Sequence, residues 1–164
     1  MGEFVIYPDA ALSRKATPRP VDARMLEAGA RLLAAAEGVH AYGLAAAHLG
    51  LDEPLVVISI APATAPRDYR VLYNPKVIDL APESETGMEG SVSLPGIEVP
   101  VVRSTWTVLA HDDAAGQSQN LRVEGFVARV AQHEIDQMNG LFFLRRVSSV
   151  KRDLALRKFR KTTR

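Results

Sequence analysis

The spacing of apolar positions changes character several times along the chain, and each change marks an element. "VDARMLEAGARLLAAAEGV" places Met25, Leu26, Leu32, Leu33 and Ala36 at helical intervals, so a helix is predicted over 21–37 with Gly38 as its stop. Gly29 lies inside that run and works slightly against it. The preceding "YPDAALSRKATPRP" (7–20) holds three prolines and no sustained period, which reads as an entry loop. "PLVVISI" (54–60) is short, apolar and β-branched, as a buried strand is. Further strands are predicted at "YRVLYNP" (69–75), "VIDLAP" (77–82), "VPVVRSTWTVLAHD" (99–112) and "QNLRVEGFVA" (119–128), with a turn at "DDAAGQ" between the last two. "GFVARVAQHEIDQMNG" (125–140) returns to helical spacing and ends at Gly140. "LFFLRR" reads as one more short strand, and 148–161 as a terminal helix. One helix, several strands, then two helices is the order of an α+β protein rather than an alternating βαβ one.

Composition adds bounds. A chain of 164 residues, 47% hydrophobic and 24% charged, suits a single domain over 1–164 with a full core. There is no cysteine, which excludes disulfides and thiolate metal ligands and is compatible with a reducing compartment. The start "MGEFVIYPDA" is too short in its apolar run and wrongly charged for a signal peptide, and Ile6 stands where a myristoylation signal needs Ser or Thr. A cytoplasmic protein without membrane attachment is expected.

The formal net charge of +1 conceals an asymmetry. Residues 145–164 carry nine Lys or Arg and one acid, Asp153, which leaves residues 1–144 at −7 by subtraction. Such a tail reads either as a solvated cationic helix that suits the negative end of its own dipole, or as a contact for an anionic partner such as RNA.

Three stretches could carry chemistry. In "HEIDQ", His133 and Gln137 are four residues apart on one helical face, with Glu134 beside them. Two histidines at that spacing would hold a divalent metal, with the glutamate handling the proton of a bound water. "GMEGSVSLPG" (87–96) brackets two serines with three glycines and Pro95, and by composition is a loop between strands. "YGLAAAHLG" (42–50) is a series of small residues that would let a backbone or ligand approach closely, and is otherwise a loop or helix edge.

Taken in order, these stretches resemble the peptide deformylases, metal hydrolases that remove the formyl group from N-terminal methionine. That family carries G-x-G-x-A-A-x-Q, E-G-C-x-S and H-E-x-D-H. This sequence has "AYGLAAAH" (41–48), "EGSVS" (89–93) and "HEIDQ" (133–137), and "VIYPDAALSRKA" and "YNPKVI" extend the likeness over nearly the whole chain. The resemblance implies that fold: an N-terminal helix, mixed and mostly antiparallel strands around a central helix bearing HEIDQ, and a C-terminal helix. Its metal ligands fall on Ser91, His133 and Gln137, so one of three is retained. The glutamine that polarises the formyl carbonyl falls on His48, the first motif glycine on Ala41, the acid/base on Glu134, and the oxyanion-stabilising N–H on Val92. Gly43, Leu44, Gly90, Ser91, Leu94 and His133 would form the substrate pocket. The partners implied are an N-terminal methionyl or formyl-methionyl peptide and, through the basic C-terminal helix, the ribosome or RNA.

The departures have a chemical meaning. Serine is neutral and hard near neutral pH, and a carboxamide oxygen suits calcium or magnesium better than zinc or iron. A bound metal brings the pKa of water from about 15.7 to about 7, whereas a positioned base alone contributes about 10²–10⁴ in rate. The expectation is therefore no cofactor, or at most a divalent Zn, Fe or Ni ion held through His133, and little or no ordinary deformylation. Three readings follow: a peptide-binding protein on an enzyme fold; a metal hydrolase with rearranged ligands His48, His133 and Glu134; and a metal-free hydrolase with Ser91 as nucleophile and His48 or His133 as base.

Overall fold

The computed structural model describes residues 3–163, so Met1, Gly2 and the last cation of the basic tail, Arg164, lie outside the described residues. Its elements are α1 (Ala23–Val39), β1 (Gly43–Ala45), β2 (Leu55–Ser59), β3 (Tyr69–Leu80), β4 (Ser84–Ser91), β5 (Leu94–Ser104), β6 (Trp106–Asp112), β7 (Ser118–Glu124), α2 (Gly125–Met138) and α3 (Ser149–Thr162). Short 3-10 turns stand at Ala10–Ser13, Ala46–Leu49 and Phe143–Arg146. A five-stranded sheet has the order β1-β2-β3-β6-β7, and β4 with β5 forms a separate hairpin. All these pairings are antiparallel. The α+β architecture with a central helix bearing HEIDQ is the one expected, with antiparallel pairing throughout. Among the described residues no helix is long and apolar enough to cross a membrane.

Two-residue alternation in β2 sets the layers. Val56 and Ile58 face one way and pack with Ala128, Ala131, Ile135 and Met138 of α2. Leu55 and Val57 face the other way and pack with Met25, Leu32 and Ala36 of α1. The sheet therefore separates the two helices. The hairpin lies on the other side of α2 and closes a third cluster, in which Leu94, Ile97, Val99 and Val101 meet Phe142, Phe143, Leu144 and Phe159. α1 begins at Asp22, whose Oδ1 accepts from the Met25 N–H, and runs through Gly38 to end at His40 in the left-handed conformation. α3 begins at Ser148, whose Oγ accepts from the Lys151 N–H.

Several boundaries differ from the sequence-based ones, each for a local reason. The strands expected at 69–75 and 77–82 are one strand, β3, carrying a register shift between Tyr73 and Lys76. Asn74 takes φ 50° there, and its side chain donates to the Arg19 carbonyl and to Asp112, so Pro75 marks a bulge rather than an end. The strand expected at 99–112 is two strands, because the chain leaves the hairpin at Thr105 and enters the sheet at Trp106. The loop expected at 87–96 is mostly strand. The strand expected at "LFFLRR" is a 3-10 turn, since Phe142, Phe143 and Leu144 are all buried in succession and leave no alternating polar face. The strand expected to reach Ala128 stops at Glu124, where α2 begins.

The polar face of α2 is buried against the hairpin and held by an ionic network. Glu89, on β4, accepts from both Nε and Nη2 of Arg103 on β5 (2.9 and 2.8 Å), from Nη1 of Arg129 (2.8 Å) and from Nδ1 of His133 (2.7 Å). Arg103 also reaches Asp136 at 2.6 Å, and Asp136 takes a two-point contact from Arg146. Gln132 completes the join, exchanging hydrogen bonds with the backbone N–H and carbonyl of Ser104. Burial alone would raise the Glu89 carboxyl, but hydrogen bonds from Arg103 and His133 hold it down to about 2.

A carboxyl whose folded pKa lies below its ordinary 4.5 contributes stability that is present above that pH and is lost as pH falls towards 2. Unfolding free energy measured in urea is therefore expected to drop by about 3 kcal/mol across that acid window, a slope that Glu89→Gln removes. At neutral pH the same variant should be about 3–5 kcal/mol less stable, because it leaves Arg129 without its buried counter-charge and Arg103 with Asp136 alone. A wild-type acid limb unchanged by the substitution would contradict this. Gly29 offers a second test: a Cβ there would stand 2.6 Å from the Tyr73 hydroxyl. Gly29→Ala should cost about 1–2 kcal/mol net of its helix propensity gain, and most of that loss should vanish in a Tyr73→Phe background.

Candidate functional site

A cavity of about 430 Å³ opens between α2, the hairpin and β1. Gly43, Leu44 and His48 line it from β1 and the turn after it; Met88, Glu89, Gly90, Ser91 and Val92 from β4 and its turn; and Phe126, Arg129, Val130, His133 and Glu134 from α2. β1 can come this near to α2 because residue 43 has no side chain. A Cβ there would be 2.7 Å from Val130 Cγ1, 3.0 Å from Glu134 Cγ and 3.1 Å from the Val57 carbonyl.

His133 is set by its neighbour. Its Nδ1–H donates to Glu89, which leaves Nε2 as the free ring nitrogen. Burial opposes its charge, yet Glu134 and Glu89 together raise its pKa above the ordinary value. Glu134 is buried too. Its Oε1 has no hydrogen-bond partner and lies 3.7 Å from His48 Nδ1, too far for a bond. Burial, only partly offset by His133, pushes the Glu134 carboxyl up to about 7.

His48 faces the same space from the 3-10 turn Ala46–Leu49 and is 1% exposed. The Ala45 N–H donates to its Nδ1 at 3.0 Å, so the neutral ring carries its hydrogen on Nε2. Burial, with repulsion from His133, pushes its pKa down to about 3. That Nε2 lies 3.5 Å from Ser91 Oγ, which also accepts from the Ser93 N–H at 3.1 Å. With both directions of acceptance used, the Ser91 hydroxyl is left as a donor.

Two residues singled out from the sequence are placed elsewhere. Gln137 is 1% exposed and outside the cavity lining, because its Nε2 donates to the Leu12 carbonyl at 2.8 Å. Leu94 is fully buried in the apolar cluster under the hairpin, since its position on β5 shares the inward face with Ile97 and Val99. Among the described residues, no three His, Asp or Glu side chains gather in a way that could hold a metal ion. Sequence reasoning did not single out Glu89, Arg103 or Arg129. Their signal was available: Arg103 follows Val99 and Val101 at two-residue intervals on the buried face of β5, and Arg129 precedes His133 by one helical turn.

A comparison with protein families matches the polypeptide deformylase model over residues 1–153. A peptide deformylase-like protein of Agrobacterium fabrum is 34% identical over 95% of this chain and 93% of its own length. A peptide deformylase of Rhizobium meliloti is 31% identical over 96% of this chain and 91% of its own. Among solved structures, peptide deformylase from Ehrlichia chaffeensis in complex with actinonin superposes with a TM-score of 0.90 at 28% identity, covering 99% of this chain and 97% of that one. Sequence, fold and motif order agree, and the chain belongs to the polypeptide deformylase family.

Proposed function

We propose that this chain is a peptide-binding member of its family that does not carry out ordinary metal-dependent removal of a formyl group. The observation that carries the reading is that Gln137 lies outside the cavity lining, with its amide nitrogen committed to the Leu12 carbonyl. Of the positions matched to the family's ligands, that leaves Ser91, a neutral hydroxyl already accepting from Ser93 N–H and His48, and His133, with one free imidazole nitrogen. Such a set does not fit a zinc, iron or nickel ion.

The other two readings meet specific obstacles. A rearranged set would need His48 as a ligand, but its Nδ1 lone pair is taken by Ala45 and its Nε2 holds a hydrogen. For the same reason His48 cannot remove the proton of Ser91. His133 is the better base, oriented by Glu89 as a nucleophile's partner would be. No hydrogen bond joins it to Ser91, and that contact is what a serine nucleophile requires. Binding requires less. The cavity keeps an apolar wall of Leu44, Met88, Phe126 and Val130 beside its polar floor, the mixture that suits an extended peptide with one large apolar side chain. The exposed cations of α3, Lys151, Arg157, Lys158, Arg160 and Lys161, have only their charge to connect them with RNA or the ribosome.

Protein purified without chelators and supplied with zinc, iron or nickel should retain far less than one equivalent of metal by elemental analysis. It should hydrolyse formyl-methionyl peptides at least about a thousandfold more slowly than a metal-loaded deformylase assayed beside it. Turnover at a comparable rate would end the reading. Ser91→Cys with Gln137→His rebuilds the family's ligand types. The double variant should take up one equivalent of metal and gain measurable deformylation, at the expense of about 1 kcal/mol for the lost Leu12 contact.

A further inference from the structure

The second half of β3 is paired on one side only. β2 meets residues 69–73 and goes no further, whereas β6 pairs with β3 along 73–80. Opposite β6, residues 76–80 therefore have no strand against them among the described residues. Apart from the Leu80 N–H, which is bonded to the Asp79 side chain, the backbone groups on that edge form a template for an extended chain. A groove of about 830 Å³ runs beside it. Lys76, Val77 and Leu80 contribute one wall, Ser84 and Val102 of the hairpin the other, and Ile135 and Met138 of α2 the floor. One end is closed where the Asn74 side chain exchanges hydrogen bonds with the backbone of Arg19. The α2 residues of this groove are not those that line the first cavity, so its occupancy is independent of what that cavity binds.

The walls are partly apolar and open to solvent, with Leu80 48% and Val102 58% exposed. The charge beside them is positive. Lys15 and Lys76 are exposed in the lining and enter no ion pair among the described residues. Deeper in, Arg103, Arg129 and Arg146 share only Glu89 and Asp136, which leaves at least one further cation uncompensated. This surplus stands out in a chain whose residues 1–144 sum to −7. Neighbouring side chains of a strand point to opposite faces, so a chain laid along the edge would alternate between the surroundings of Lys76 and those of Val77. We propose that the groove is a second binding site, which takes an acidic, extended segment of a partner protein by strand addition to β3. Acidic residues of that segment face Lys15 and Lys76, and the apolar residues between them pack on Val77, Leu80 and Val102. A nucleic acid could use the same lysines, but it would leave the strand edge and the apolar walls unused.

The test is isothermal titration of the full chain with the end-blocked peptide acetyl-Asp-Val-Asp-Val-Asp-Val-amide and its counterpart acetyl-Lys-Val-Lys-Val-Lys-Val-amide. The acidic peptide should bind at least about tenfold more tightly, and it should slow amide hydrogen exchange within residues 76–80. Lys15→Glu with Lys76→Glu should weaken it at least about tenfold, with an unchanged circular dichroism spectrum, since both side chains are exposed. No binding, equal binding of the two peptides, or equal binding by the double variant would overturn the proposal. So would slowed exchange confined to residues 43–48 and 88–92, which would place the peptide in the first cavity. Hexauridylate binding as tightly as the acidic peptide would make the groove a site for nucleic acid instead. Protection of residues 76–80 that rises with protein concentration alone would make the occupant a second copy, and would overturn the proposal as well.

Discussion

The buried carboxylate of Glu89 is the interaction on which the arrangement of this molecule depends. α2 is the one element wedged between the sheet and the hairpin, and its hairpin side is lined with polar groups rather than aliphatic ones. Glu89 resolves that conflict by collecting two guanidinium groups and an imidazole onto one carboxyl. Removing a single partner from such a cluster is far more costly than never having built it, because an uncompensated charge would stay behind in a dry interior. The chain continues through Arg103 to Asp136 and then Arg146, so the start of the C-terminal segment is tied to the same point. Local geometry follows suit: a Cβ on residue 87 would stand 2.8 Å from the Arg129 guanidinium, and the glycine there gives the cation room to reach its partners.

The same contact determines the chemistry of the cavity. A carboxylate on Nδ1 fixes the tautomer and aim of His133, as carboxylates do for metal-bound histidines. In this protein that orientation is also a condition of stability. It therefore persists without reference to what His133 faces, and a correctly aimed imidazole is weak evidence for a metal. The informative positions are those whose side chains are free to choose a partner. Gln137 chooses Leu12, and His48 chooses the Ala45 N–H.

Much of the fold was legible where one periodicity ruled. α1 and α2 each bury a face read directly from spacing, β2 was read from its unbroken apolar run and is buried on both faces, and the motif order pointed to the family. Reading failed where one residue type serves two purposes. Gly87 and Gly90 look like loop residues, but they lie in β4 because neighbouring groups approach the backbone there: Arg129 at the first, and the Ile97 carbonyl 3.0 Å from a Cβ position at the second. Pro75 looks like a terminator and sits at a bulge. Arg103 keeps the two-residue inward spacing of Val99 and Val101, but a lone sequence says nothing of the acid it meets on β4. At the site, residue identities were legible but hydrogen-bond directions were not. That Gln137 points away, and that His48 holds its proton toward Ser91, depend on backbone groups 125 and 3 residues distant in the chain.

Those directions bear on how a site behaves after its ligand set changes. A side chain that replaces a metal ligand and still offers its lone pair to the cavity would leave several buried acceptors facing one another, an arrangement that costs free energy until a cation, a proton or a hydrogen-bond donor relieves it. Here the Ser91 oxygen accepts from Ser93 and His48, and the Gln137 amide nitrogen donates to Leu12. Glu134 is the exception. Its side chain lies against Gly43, the near nitrogen of His48 is already bonded to the Ala45 N–H, and its Oε1 has no partner. A buried polar atom without a partner is unfavourable in the free protein, and neutralisation of the carboxyl by burial lessens that strain without ending it. Whatever enters the cavity and supplies a donor at that oxygen recovers the difference as binding energy.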